Sequence, residues 1–226
     1  RAGDADSTGP SLAVIVDEAS QATTPALMAA LAPGPGHVVL VGDDKQLGPL
    51  CVLPPEDTRE LEKLLPPGLG PQDSAFEWLL RQGMGSVMLR EQHRMHPSLA
   101  CFPSQQFYNG LLVSAVAAAS RTPPRGVCWP APDVPLLLLD TSEGRAREAC
   151  CERRVGASWH NEGEARLVVE ACSKALAEGD LAGGDVGVIT PYAAQVDAIR
   201  RQCSVGVEVS SVDAFQGREK ELIVFS

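Results

Sequence analysis

Leu12-Ala13-Val14-Ile15-Val16-Asp17-Glu18-Ala19-Ser20-Gln21 is an apolar run that stops on two adjacent carboxylates. A strand covered on both faces reads this way, because neither side of it alternates with polar residues. Thr24-Pro25 then predicts a short helix, with Thr24 as N-cap and Pro25 in the first helical position. The helix ends before Pro33-Gly34-Pro35-Gly36, and His37-Val38-Val39-Leu40-Val41 predicts a second buried strand closing on Gly42-Asp43-Asp44. Strand, helix and strand in this order predict two neighbouring parallel strands whose C-terminal ends share an edge. Ligands of open α/β sheets bind at such an edge.

Working outward, Leu50 to Gln72 is rich in proline and charge and reads as an irregular excursion, followed by a helix over Ser74–Arg81. Gly83-Met84-Gly85-Ser86 interrupts the pattern and predicts a change of unit, which divides the chain into residues 1–86 and 87–226. Beyond it the expected elements are a strand at Val87–Leu89, a helix from Pro97 to Tyr108, loop from Leu111 to Arg125 and a strand at Leu136–Leu139. Thr141 to Ser158 reads as a surface loop. Asn161-x-x-Glu164, followed by apolar positions at 165, 168, 172 and 176, reads as a capped amphipathic helix. Asp185–Ile189, Val205–Val209 and Leu222–Phe225 read as strands, with a helix over Pro191–Gln202. The fold class expected is α/β, built on parallel sheets.

Composition narrows the function. The chain has 226 residues, 44% hydrophobic and 21% charged, which excludes wholesale disorder. No apolar run approaches the roughly 20 residues of a membrane span, and the polar stretch from Arg1 to Ser11 is no secretory signal. With 19 basic against 29 acidic residues the net charge is -10, so nucleic acid would be met in a local cleft and not over the whole surface. Seven cysteines without a CxxC pair predict reduced, mostly buried thiols in an intracellular protein, in the cytoplasm or nucleus. The four histidines form no zinc-ligand spacing with a cysteine pair.

Five segments carry candidate chemistry. Asp17 and Glu18 suit metal-nucleotide work: one carboxylate can hold Mg²⁺, and its neighbour can orient and deprotonate a water. A solvated acidic turn would read the same. Gln46, in Gly42-Asp43-Asp44-Lys45-Gln46-Leu47, has an amide that can donate to a γ-phosphate and accept from a water; a surface glutamine on a turn is the alternative. Arg94, in Gln92-His93-Arg94-Met95-His96-Pro97, sits just after the expected boundary, where a guanidinium could meet charge on a transferring phosphoryl group or simply form a salt bridge. Thr190-Pro191-Tyr192 reads as a helix start with free N–H groups for a backbone phosphate and a ring for stacking, or as an ordinary capped helix. Ser210 to Glu219 is a polar, glycine-containing turn after a strand, able to approach a ligand closely; Glu219 could accept from ribose hydroxyls.

In this order the segments resemble the superfamily one RNA/DNA helicases of the nonsense-mediated-decay type, with the large vertebrate zinc-finger helicases one home for such a sequence. The resemblance runs from about residue 12 to the C-terminus, through motif II (Asp17-Glu18-Ala19-Ser20-Gln21), motif III (Gly42 to Leu47), motif IV (Gln92 to Pro97), Asn161-x-x-Glu164, Ile189 to Tyr192 and motif V (Val212 to Glu219). It implies two RecA-like domains of the P-loop NTPase kind, the first incomplete at its N-terminus and the second at its C-terminus. It further implies ATP with Mg²⁺, and a single strand of RNA or DNA across both domains. Asp17 would hold Mg²⁺, Glu18 would activate water, Gln46 would contact the γ-phosphate, Arg94 would be a finger, and Gly217 and Glu219 would lie at the nucleotide. Thr190, Pro191, Tyr192 and Ser210 would meet the nucleic acid. His93 stands where relatives carry a tyrosine against the adenine, and an imidazole stacks with less area. No G-x-x-x-x-G-K-[ST] phosphate loop occurs in the chain. It is expected upstream of residue 1, and motif VI beyond Ser226, so the isolated chain is expected to hydrolyse ATP poorly or not at all. The rival expectation is a non-catalytic helicase-like module that binds other proteins.

Overall fold

A computed structural model of the chain describes residues 12–50, 54–131, 134–141, 151–204 and 206–226. The polar stretch 1–11, the part of the expected surface loop from 142 to 150, and Val205, the expected start of a strand, lie outside the described residues. The chain divides into two compact units, Arg1–Met88 and Leu89–Ser226.

In the first unit, β1 (Ala13–Val16) and β2 (His37–Leu40) pair in parallel, with Ala13 opposite His37 and Val16 opposite Leu40. The connecting helix α1 (Thr24–Leu31) packs on β1 and buries Leu27. Its N-cap is Thr23, one residue earlier than expected. The Thr24 hydroxyl is instead occupied, donating to the Asp73 carbonyl at 3.1 Å. The two strands are not buried on both faces as their apolar runs predicted. Ile15 is 72% exposed, and Val38 and Val39, which point to opposite faces, are about half exposed, because the described residues leave both faces of the pair partly open.

The Leu50–Gln72 excursion contains an unexpected helix, α2 (Pro55–Glu62), which starts on a proline and has Glu56 and Asp57 in its first turn. Acidic residues there oppose the positive end of the helix dipole. Next comes α3 (Ala75–Arg81), where expected. A bridge from Thr23 to Ser74 ties it to the start of α1.

The second unit opens differently from the reading. Val87–Leu89 is exposed coil, and the strand is β3 (Glu91–Gln92), paired in parallel with β4 (Val113–Ser114) inside a stretch read as loop. Between them runs α4 (Pro97–Phe107). Leu136–Leu139 forms no strand: among the described residues nothing pairs with it, and Leu138 is 88% exposed. In place of the surface loop ending at Ser158 there is an antiparallel hairpin, β5 (Glu152–Val155) and β6 (Ser158–Asn161).

The remaining elements form the main core. Helix α5 (Glu162–Ala177) starts at Asn161, whose side chain accepts the Glu164 N–H at 3.1 Å, as the spacing predicted. Then come β7 (Val186–Thr190), α6 (Ala193–Arg200), β8 (Glu208–Ser211), the short α7 (Val212–Phe215) and β9 (Leu222–Phe225). Their sheet has the order β8-β7-β9, all parallel. Central β7 is the strand that meets the both-faces-buried pattern, and Val186 and Val188 are fully enclosed. Around them pack Ala165, Val168 and Cys172 of α5, Val196, Ala198 and Ile199 of α6, and Val209 of β8. Burying a side chain such as Ile199 stabilises by about 1.5–3 kcal/mol. The cysteines do not follow the expectation of mostly buried thiols, since Cys101, Cys128 and Cys151 are exposed. Cys172 is buried, and burial together with the neighbouring Cys203 thiol pushes its pKa up to about 12.

Candidate nucleotide and nucleic-acid sites

The two strand ends of the first unit form one edge. The Val41 N–H donates to the Val16 carbonyl at 2.8 Å, and the Ala19 N–H donates back to the Val41 carbonyl at 2.7 Å. The turn after β1 is thereby stitched to the end of β2. The Ser20 hydroxyl then accepts the Asp43 N–H at 3.2 Å. This proximity requires Gly42: a Cβ there would lie 2.9 Å from the Ser20 backbone nitrogen.

Within the edge, Asp17 and Glu18 are both exposed. Glu18 has φ +50°, in the left-handed region that non-glycine residues rarely occupy, at a cost on the order of 1 kcal/mol. Three bonds hold it there. Its N–H donates to Asp17 Oδ1 at 3.0 Å, its carbonyl accepts the Gln21 N–H at 2.9 Å, and its carboxylate accepts the Gln21 side-chain amide at 2.8 Å. Gln21 is thus a positioning residue that sequence reasoning left without a role. Gln46 is exposed, and its amide nitrogen rests on Asp43 Oδ2 at 2.7 Å. The turn is closed by the Lys45 N–H on Asp43 Oδ1 at 3.0 Å. The Lys45 ammonium pairs with Asp44 at 2.6 Å, and that carboxylate raises its pKa. Asp17 suits Mg²⁺ by its donor chemistry, an exposed hard oxygen at a strand end. Among the described residues no three His, Cys, Asp or Glu side chains group as ligands. A magnesium ion that arrives with phosphates needs only one or two carboxylates.

In the second unit, Arg94 and Glu219 meet in an ion pair. Both are well exposed, so the pair contributes about 0–1 kcal/mol and is easily exchanged for another anion and cation. Gln92 builds the turn that presents Arg94. Its Oε1 accepts the N–H groups of Arg94 (3.0 Å) and Met95 (2.8 Å), while its Nε2 donates to the Met95 carbonyl and to Ser114 Oγ at 2.7 Å. His96 caps α4 through its ring, accepting the Ser98 N–H at 3.1 Å. Sequence reasoning missed both roles, because neither residue type is an ordinary turn or cap signal. His93 is exposed, with its carbonyl held by Arg121 at 2.9 Å. Glu219 follows the turn at Gly217, whose φ of +76° suits glycine.

The Thr190–Tyr192 segment differs in detail from its reading. Thr190 is the last residue of β7, wholly buried, and its hydroxyl accepts the Tyr192 N–H at 3.4 Å. Helix α6 begins only at Ala193, so Thr190 is not its N-cap. Ser210 is buried too, within β8. Pro191 and Tyr192 are the exposed members of this set. Ser158 of β6 takes the free Ala194 N–H at 3.2 Å, and Gln195 accepts the Asn161 N–H at 2.8 Å.

Comparison with known proteins adds a family. Residues 71–226 match one AAA-domain family and residues 7–53 match another. The chain is 36% identical, over 94% of its length, to a homolog of regulator of nonsense transcripts 1 from Neurospora crassa, and covers 19% of that protein. It is 34% identical to the ATP-dependent helicase NAM7 of Saccharomyces cerevisiae, covering 21% of it, and 35% identical to the Drosophila melanogaster homolog, covering 18%. The chain therefore spans about a fifth of the length of these relatives.

Proposed function

From the premise that this chain belongs to the AAA-domain family, with the nonsense-transcript regulators among its relatives, we propose that it is part of an ATP-dependent helicase or translocase core acting on single-stranded RNA or DNA. In this reading residues 1–86 and 87–226 belong to two RecA-like lobes. The observation that carries it is the shared edge in the first unit, where backbone bonds between Ala19 and Val41 tie the carboxylate turn to the glutamine turn.

The chemistry follows from the side chains. Glu18, exposed and oriented by Gln21, takes a proton from the attacking water. Gln46 exchanges its hydrogen bond with Asp43 for one to a γ-phosphate oxygen, so its position reports whether that phosphate is present. Arg94 leaves Glu219 for the developing phosphoryl charge, and Glu219 is released to accept from ribose hydroxyls. Asp17 would hold the magnesium ion that accompanies ATP, which neutralises charge on the phosphates. Loss of the γ-phosphate removes the differential contacts of Gln46 and Arg94, and that difference drives a conformational cycle. Pro191 and Tyr192 offer a backbone approach and a stacking ring to the strand, with the buried Thr190 hydroxyl holding the Tyr192 N–H.

The test is ATP hydrolysis by the full-length protein with and without single-stranded nucleic acid. Stimulated hydrolysis is expected, and Glu18→Gln should lower it by about 10²–10⁴-fold while leaving ATP binding intact. Undiminished hydrolysis in that variant removes Glu18 from the mechanism. Failure of the wild type to bind ATP favours the protein-binding module.

A further inference from the structure

The β5–β6 hairpin carries chemistry that the reading above does not use. Opposite each other across its ladder stand Arg154 and Trp159, and beside them Arg153 and His160. Directly opposed residues on an antiparallel pair project from the same face, so Arg154 flanks the indole, and Arg153 projects from the other face. Trp159 is 41% exposed, a large area for a tryptophan in a chain with only three, and both arginines are exposed. Among the described residues neither arginine makes an ion pair; Arg154 donates only to the Gly156 carbonyl of its own turn. In a chain of net charge -10, an exposed guanidinium that has no acidic partner among the described residues suits an anionic partner.

The hairpin is also fastened beside Tyr192. Ser158, the neighbour of Trp159, holds the Ala194 N–H, and Asn161, two residues further, is held by Gln195. Strand β6 therefore runs along the start of α6, and Trp159, which alternates with Ser158, projects from the other face of the strand. An exposed indole with an arginine opposite it on the same face combines the two features that hold unpaired nucleotides, a π-face for a base and a cation for a phosphate. We propose that the β5–β6 hairpin is a second contact for the single strand, with Trp159 stacking on a base and Arg154 meeting the backbone phosphate. The proposal rests on the reading of Tyr192 as a nucleic-acid contact.

The experiment measures binding of fluorescein-labelled oligo(U) and oligo(dT) to the full-length protein over a salt series, for wild type, Tyr192→Ala, Trp159→Ala, Trp159→Phe and Arg154→Gln, with thermal unfolding run in parallel. Trp159→Ala is expected to weaken binding about tenfold or more, and Trp159→Phe to keep most of the affinity. Arg154→Gln should reduce the slope of log affinity against log salt by about 0.7, one phosphate's worth on a single strand. If Tyr192→Ala weakens binding and neither Trp159→Ala nor Arg154→Gln does, the hairpin proposal is overturned while the nucleic-acid reading stands. If no oligonucleotide binds, both fall. Should Trp159→Ala unfold the protein, Arg154→Gln decides alone: an unchanged slope overturns the proposal. Loss of a co-purifying protein with oligonucleotide affinity intact also overturns it, and makes the hairpin a protein-facing surface.

Discussion

Gly42 shows how one missing methyl group sets the first site. The end of β2 passes so close to the turn after β1 that an added Cβ would meet the Ser20 backbone nitrogen at 2.9 Å. Backbone cannot give way as a flexible side chain can, so Gly42→Ala should cost about 1–3 kcal/mol and move Gln46 away from Glu18. Thermal unfolding of the variant reads the first effect and nucleic-acid-stimulated ATP hydrolysis the second; a native melting temperature with full activity would contradict this account of the glycine. At this scale the chain was partly legible. Asp17, Glu18 and Gln46 were marked by the way apolar runs stop. Gln21, Gln92 and His96 were not, because their work is to hold backbone N–H groups and neighbouring side chains in particular turns, which no spacing announces.

At the scale of elements, β8 and the turn after α7 are joined by charge. Glu208 pairs with Lys220 at 3.0 Å and with Arg218. These cations, Lys220 foremost, hold its carboxyl below the ordinary value near 4.5. A carboxyl that titrates lower in the folded chain than in the unfolded one stabilises fully above the unfolded value, and that contribution is lost as pH falls through the folded value. Glu208→Gln should therefore lower stability at pH 7 by on the order of 1 kcal/mol, with the gap to wild type closing below about pH 4.5. Denaturant unfolding across pH 3–7 checks it, and a gap independent of pH would sink it.

Elements also show where reading along the chain fails. Leu136–Leu139 looks like a buried strand and is exposed coil, because an apolar run needs a partner strand that sequence cannot supply. Glu152–Ser158 looks like loop and belongs to a hairpin that runs on to Asn161, because Arg-Arg and Trp-His leave no apolar face to alternate. The helix at Pro55–Glu62 was hidden for the same reason, its polar residues showing no buried stripe.

For the whole molecule, the two units differ in how they are covered. In the second, β7 lies between two strands and under two helices, and its core is closed. In the first, the β1–β2 pair presents Ile15, Val38 and Val39 to solvent. Ile15 and Val39 stand opposite each other and share one face, and exposed apolar surface of this kind marks a surface that associates. Residues 1–226 prepared alone should bind an apolar dye such as ANS at neutral pH, and Ile15→Thr should reduce that binding while changing stability by less than about 0.5 kcal/mol. Equal dye binding by both proteins would mean that the exposed face lies elsewhere. The parallel pairing that decided the fold was legible because both strands are short, continuous and joined by one helix. The exposure of the pair was not, because a strand's own residues do not say what covers them.

Ser74 reaches back over 55 positions to donate from its hydroxyl to the Ala19 carbonyl, and its backbone bridges Thr23. The acidic turn is therefore moored from behind by a segment that looks dispensable on paper. Any boundary drawn between β2 and this serine, by a protease, a splice junction or a truncated expression design, would leave both strands intact and still set the carboxylates adrift.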